Sequence, residues 1–70
     1  MRPKSDIEKA VEKIYNEWFG YRGVMMVSYE NIDGKMCVVL WVNKTEEILR
    51  GGYPFLVDGY QIIVLPLNFR

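Results

Sequence analysis

The sequence predicts an α+β fold: a two-layer αββαββ arrangement whose four-stranded, mostly antiparallel sheet of two hairpins carries one long and one short helix on one face. Three observations predict it. Asp33-Gly34 and Asp58-Gly59 each separate two runs rich in β-branched and aromatic residues, Ile7 to Trp18 places apolar residues at helical spacing, and a short helical segment between the hairpins is stopped by Gly51-Gly52. Asp-Gly between such runs marks a two-residue type I′ turn, because both central positions need positive φ and these residues tolerate it. Seventy residues make one small domain, in which surface is large relative to the interior. The first four residues are expected to be a disordered N-terminus.

Ser5-Asp6-Ile7-Glu8 fits a capping box and predicts the start of the first helix. Ile7, Ala10, Val11, Ile14 and Trp18 form one apolar stripe, with Glu8, Lys9, Glu12, Lys13 and Glu17 on the solvated side. Gly20 is the expected left-handed stop. Gly20-Tyr21-Arg22-Gly23 matches the GxxG pattern with which KH domains clamp a nucleic-acid backbone. In that family the loop joins two helices, whereas here it joins a helix to a strand, and turn geometry alone accounts for two glycines at a helix exit.

In the first hairpin, a two-residue turn pairs Ile32 with Lys35, Tyr29 with Val38, Val27 with Leu40 and Met25 with Val42. Cross-strand partners share a face and side chains alternate along a strand. The core face is therefore expected to hold Met25, Val27, Tyr29, Val38, Leu40 and Val42. The opposite face takes Val24, Met26, Ser28, Glu30, Lys35, Cys37, Val39, Trp41 and Asn43. A three-residue bulged loop would shift part of this register.

Asn43 or Thr45 can cap the short helix of residues 45–50, with Glu46 and Glu47 near its positive end. The second hairpin runs from Tyr53 to Leu67 and sets Val57 against Tyr60, Phe55 against Ile62 and Tyr53 against Val64 as an apolar face. Leu56, Ile63, Leu65 and Leu67 fall on its other side. Pro54 lacks an amide hydrogen, so the third strand is expected at an edge, and Pro66 is expected to end the pairing of the fourth. The order of elements is similar to the αββαββ arrangement of small protease-prodomain-like folds, a likeness of topology that carries no residue role across.

Composition narrows function more than it names it. Nine basic and nine acidic residues give a formal charge of zero, which removes the electrostatic case for non-specific nucleic-acid binding. No histidine is present, so the usual imidazole base is missing. Glu30, Asp33, Glu46, Glu47 and Asp58 fall at turns or a helix start, no nucleophile has an evident base, and no catalytic, cofactor or metal site is expected. Cys37 is the single cysteine; without disulfides, and without the apolar core of a signal peptide or a membrane-spanning run, the expected location is the cytoplasm. Asn43-Lys44-Thr45 matches a glycosylation sequon by chance on this reading.

Half the residues are apolar, more than so small an interior needs. Two helices can cover one face of four strands, which leaves Met26, Val39, Trp41, Leu56, Ile63 and Leu65 on the other. Monomers rarely expose so large an apolar patch. The expected function is a non-catalytic interaction or oligomerisation module, with these six as its interface and another protein, most simply a second copy, as its partner. The alternative is binding of single-stranded nucleic acid or a planar ligand on the sheet, with Tyr21, Trp41, Tyr53 and Tyr60 for stacking and Arg22, Lys35 and Arg50 for phosphates. A designed chain without natural function would use the same turns and caps. Cys37, four methionines and the Gly51-Gly52-Tyr53-Pro54 link argue against that origin.

Overall fold

The computed structural model describes residues 5–67; the expectation for the first four residues falls outside that range. Helix α1 (Asp6–Trp18) leads into strand β1 (Val24–Ile32) and strand β2 (Lys35–Val42). Helix α2 (Thr45–Arg50) then leads into the two-residue strand β3 (Leu56–Val57) and strand β4 (Tyr60–Pro66). The sheet order is β1-β2-β4-β3. Each hairpin is antiparallel, and β2 and β4 join them side by side in parallel. An α+β sheet of two hairpins results, mostly antiparallel, with both helices packed on one face.

Both turns form as Asp-Gly chemistry requires. Asp33 and Gly34 have φ of 54° and 82°, Asp58 and Gly59 have 50° and 85°, and the flanking pairs are Ile32↔Lys35 and Val57↔Tyr60. The Gly34 amide donates to Asn31 Oδ1 at 3.0 Å, an extra tie across the first turn. The capping box is complete: the Glu8 amide donates to Ser5 Oγ and the Ser5 amide to Glu8 Oε1, at 3.4 and 2.9 Å.

The core lies between α1 and the sheet. Ile7, Ala10 and Ile14 descend onto Val24, Val27, Val38, Leu40 and Val42, and Val57 and Ile62 extend the cluster into the second hairpin. Ile48 of α2 and Tyr53 pack against its margin. The parallel register Val38↔Ile62 and Leu40↔Val64 places β2 and β4 side chains together on this face.

Several expectations need correction. The hairpin register holds from Ile32 back to Met26, which pairs with Trp41, but Val24 then pairs with Val42 across a β-bulge. The extra residue is Met25, which is 47 % exposed, while Val24 is fully buried in the core. A bulge inserts one residue and so exchanges the faces of what precedes it. Here that exchange keeps the compact β-branched side chain inside and turns the long one out. Tyr29 has the expected partner, Val38, yet remains exposed on the outermost strand.

Strand β3 is shorter than the predicted run from Tyr53. The Ile62 amide still donates to the Phe55 carbonyl at 3.0 Å, but the Phe55 side chain is 77 % exposed rather than in the core. Pro54 beside it cannot donate to a ladder. The position before α2 is Lys44, with no side-chain cap bond, so neither Asn43 nor Thr45 caps the helix. Pro66 is the last residue of β4, as expected: its pair with Val42 is the final rung, closed by the Leu67 amide donating to the Val42 carbonyl at 2.8 Å.

Candidate functional site

The face of the sheet away from the helices is covered by no element among the described residues. Alternation from the core positions Val27, Val38, Leu40 and Ile62 puts Met26, Ser28, Glu30, Cys37, Val39, Trp41, Ile63 and Leu65 there. The registers Val39↔Ile63 and Trp41↔Leu65 draw β2 and β4 together, and Leu56↔Gln61 adds β3. All six residues predicted as an interface thus share one side of one sheet.

They are not equally accessible. Met26 and Leu56 are 50 % and 56 % exposed. Trp41, Ile63 and Leu65 are half-buried, and Val39 is fully buried although no helix covers it. Its neighbours in the registers are Ser28 and Ile63, with Cys37 and Trp41 before and after it on the same side of β2. A short side chain in the middle strands is overgrown by longer ones beside it. Val39 supports the face from below and offers it no contact surface.

Trp41 is held in place. Its Nε1–H donates to Ser28 Oγ at 3.0 Å, a bond from β2 to β1, so the indole has a partner for its polar edge and an apolar body on the sheet. Met26, Ser28, Glu30, Trp41 and Leu67 line a shallow cleft of about 330 Å³ around it. A second groove, about 540 Å³, lies at the turn end of the sheet between Lys35–Cys37 and the second hairpin, with Phe55 and Leu56 on its rim. Ser28 and Leu67 were not among the predicted interface residues. The register places Ser28 two rungs from the pair Met26↔Trp41, and only with that register does its hydroxyl become Trp41's acceptor.

A different constellation ties α2 and the segment after it to the loop between α1 and β1. Arg22 has a left-handed φ of 55°, its guanidinium reaches Glu47 at 3.2 Å, and the same group lies over the Tyr53 ring at 4.7 Å from its centre. The Tyr53 hydroxyl donates to the Arg22 carbonyl at 2.7 Å. Burial, followed by opposing and assisting charges from Arg22, Glu47 and Arg50, holds the Tyr53 hydroxyl above its ordinary value. Trp18 stacks at an angle against Tyr21 and Tyr53. Arg50 also pairs with Glu47, at 3.3 Å.

This arrangement separates the residues named for nucleic-acid stacking. Tyr53 and Tyr60 pack at the margin of the helix-side core, Tyr21 sits against Trp18, and Trp41 alone of the four lies on the open face. Arg22 and Arg50 are both directed at Glu47. Among the acidic residues weighed for catalysis, Glu47 is engaged by two arginines and Asp58 by Lys13 at 3.2 Å. Among the described residues, no three carboxylate or thiol side chains gather as a metal site would require, and no helix is long and apolar enough to cross a membrane.

Comparison of the chain with protein families, with characterised proteins and with solved structures finds no match. Its function is therefore to be read from its surfaces.

Proposed function

We propose that this chain is a non-catalytic interaction and oligomerisation module that works by packing its open sheet face against another protein, in the simplest case a second copy. One observation carries the reading: Met26, Trp41, Leu56, Ile63 and Leu65 lie together on the side of the sheet that neither helix covers. Apolar surface of this extent is stabilised when a second layer removes it from water, and sheets stack face to face at about 10 Å through such side chains. Trp41 is the anchor, because its indole is already oriented by Ser28 and ordering it on contact costs little entropy. Cytoplasmic location belongs to the same proposal, on the ground of the single unpaired thiol of Cys37.

Sedimentation at micromolar concentration tests the reading, together with the emission of Trp41 in a Trp18→Phe background, where it is the only tryptophan. Association with a blue shift of that emission is the expected result, lost in Leu65→Glu. Monomeric chain at every concentration, with Trp41 emission unchanged, contradicts self-association through this face.

A further inference from the structure

A second surface is independent of the open face: the free edge of β1. This strand is outermost in the sheet and nine residues long. Edges of that length are ordinarily blunted by lysine, proline or a covering segment. Strand β1 contains no lysine and no proline, Glu30 is its one charge, and the bulge at Met25 disturbs only its first rungs. The loop from α1 caps the Val24 carbonyl through the Gly20 amide at 2.9 Å, and among the described residues no other segment pairs with this side.

The backbone groups that face outward follow from the register. A two-residue turn closes on a pair that exchanges hydrogen bonds, here Ile32↔Lys35. Alternation makes Glu30, Ser28 and Met26 the next residues bonded to β2, and turns the amides and carbonyls of Val27, Tyr29 and Asn31 away from it.

We propose that two copies of this chain pair antiparallel through β1, around a twofold axis at Tyr29, to form one continuous sheet. In that register Tyr29 meets the partner's Tyr29, and Val27 meets the partner's Asn31 on either side. Three pairs exchange about six backbone hydrogen bonds. Glu30 then lies opposite the partner's Ser28. The Ser28 oxygen accepts from Trp41, so its own hydroxyl hydrogen is available for the partner's carboxylate. Sliding the axis to Glu30 sets like charges directly opposite, and sliding it to Ser28 moves the outer rungs into the bulge. One register is thereby selected.

The helix layer fits the same partner. Lys13 reaches across to Asp58 in the second hairpin, which orients α1 above the sheet. Tyr15 is two residues on, about 200° round a helix, and so faces the opposite flank, above β1. Tyr15 and Phe19 stack there with ring centres 4.8 Å apart, and both are exposed. Edge pairing brings the two α1 helices alongside each other on one side of the joined sheet, where these rings are covered.

Amide hydrogen exchange on the intact chain tests the proposal, from micromolar to millimolar concentration. Protection of the Val27, Tyr29 and Asn31 amides is expected to rise with concentration in step with the dimer fraction seen by sedimentation. Tyr29→Pro removes an outward amide and no bond to β2, and is expected to weaken association about tenfold or more while the amides of β2 stay protected. If the three outward amides exchange at unprotected rates at millimolar concentration, the edge is unused and the proposal fails. Should the chain still dimerise, with Leu65→Glu but not Tyr29→Pro abolishing it, the open-face reading survives alone. The opposite pattern of variants supports the edge and removes self-association from the open face.

Discussion

Gly23 has little freedom to change. Its φ is 81°, and a Cβ built there would come within 2.9 Å of Asn43 Oδ1 and 3.3 Å of Val42 Cγ1. Its carbonyl also accepts from the Asn43 amide at 2.9 Å, closing the far end of the hairpin. Gly20 has a similar φ of 79° with nothing near the missing Cβ. Gly20→Ala should cost about 1 kcal/mol from backbone strain alone, and Gly23→Ala about 2–3 kcal/mol because the clash adds to it. Urea unfolding of the two variants measures the difference. Tyr53 makes a second prediction at this scale. Its hydroxyl holds the proton more firmly in the folded chain than in the unfolded one, whose ordinary value is 10.0. The unfolded state therefore gives up its proton first as pH rises, and the stability held below pH 10 declines as pH climbs through that value. Tyr53→Phe should lose the Arg22 bond and flatten the alkaline decline, as read by chemical denaturation at pH 8 to 11.

At the scale of elements, the two helices are anchored by different means. Helix α1 has a complete capping box, and Ser5→Ala should cost about 1 kcal/mol. Helix α2 has six residues and Lys44 at its first cap position, which cannot accept a hydrogen bond. What holds it is Glu47, gripped by Arg22 and Arg50, and Ile48 against the core. Lys44→Asp should therefore raise the midpoint of thermal unfolding, with a gain of about 0.5–1 kcal/mol. The hairpins show which parts of the fold can be read from residues. Asp33-Gly34 and Asp58-Gly59 impose their turns locally, and the register follows from them for as long as alternation is unbroken. The bulge at Met25 breaks it, and no local signal in Val24-Met25-Met26 announces this; the choice is made by which side chain fits beneath α1. Phe55 reads as a core residue by parity, but the strand to which parity applies has only begun.

For the molecule as a whole, one core joins both hairpins, so they should unfold together. Leu40, fully buried at the centre of the sheet, contacts the same cluster as Ile14 and Ile62. Leu40→Ala should remove about 2–5 kcal/mol, a large share of what a domain of this size holds. Tryptophan emission and far-ultraviolet dichroism should report coincident transitions before and after that change. The candidate site was legible in outline from coverage alone: two helices, four strands and too much apolar surface for one side. The accessibility within it was not. Val39 is buried because it lies in β2 between β1 and β4, and strand order is a property of long-range packing that no motif encodes.

That order also has a consequence for synthesis. Strand β4, the last of the four to be made, is an inner strand, between β2 and β3. While the chain emerges from the ribosome, the first hairpin can close early, since its contacts are local. The inner edge of β2 then remains unsatisfied until residues 60–66 are free to insert beside it. The sheet cannot close before β4 has emerged, and a nascent chain stalled after α2 would present Val38 to Val42 to whatever strand or chaperone is nearest.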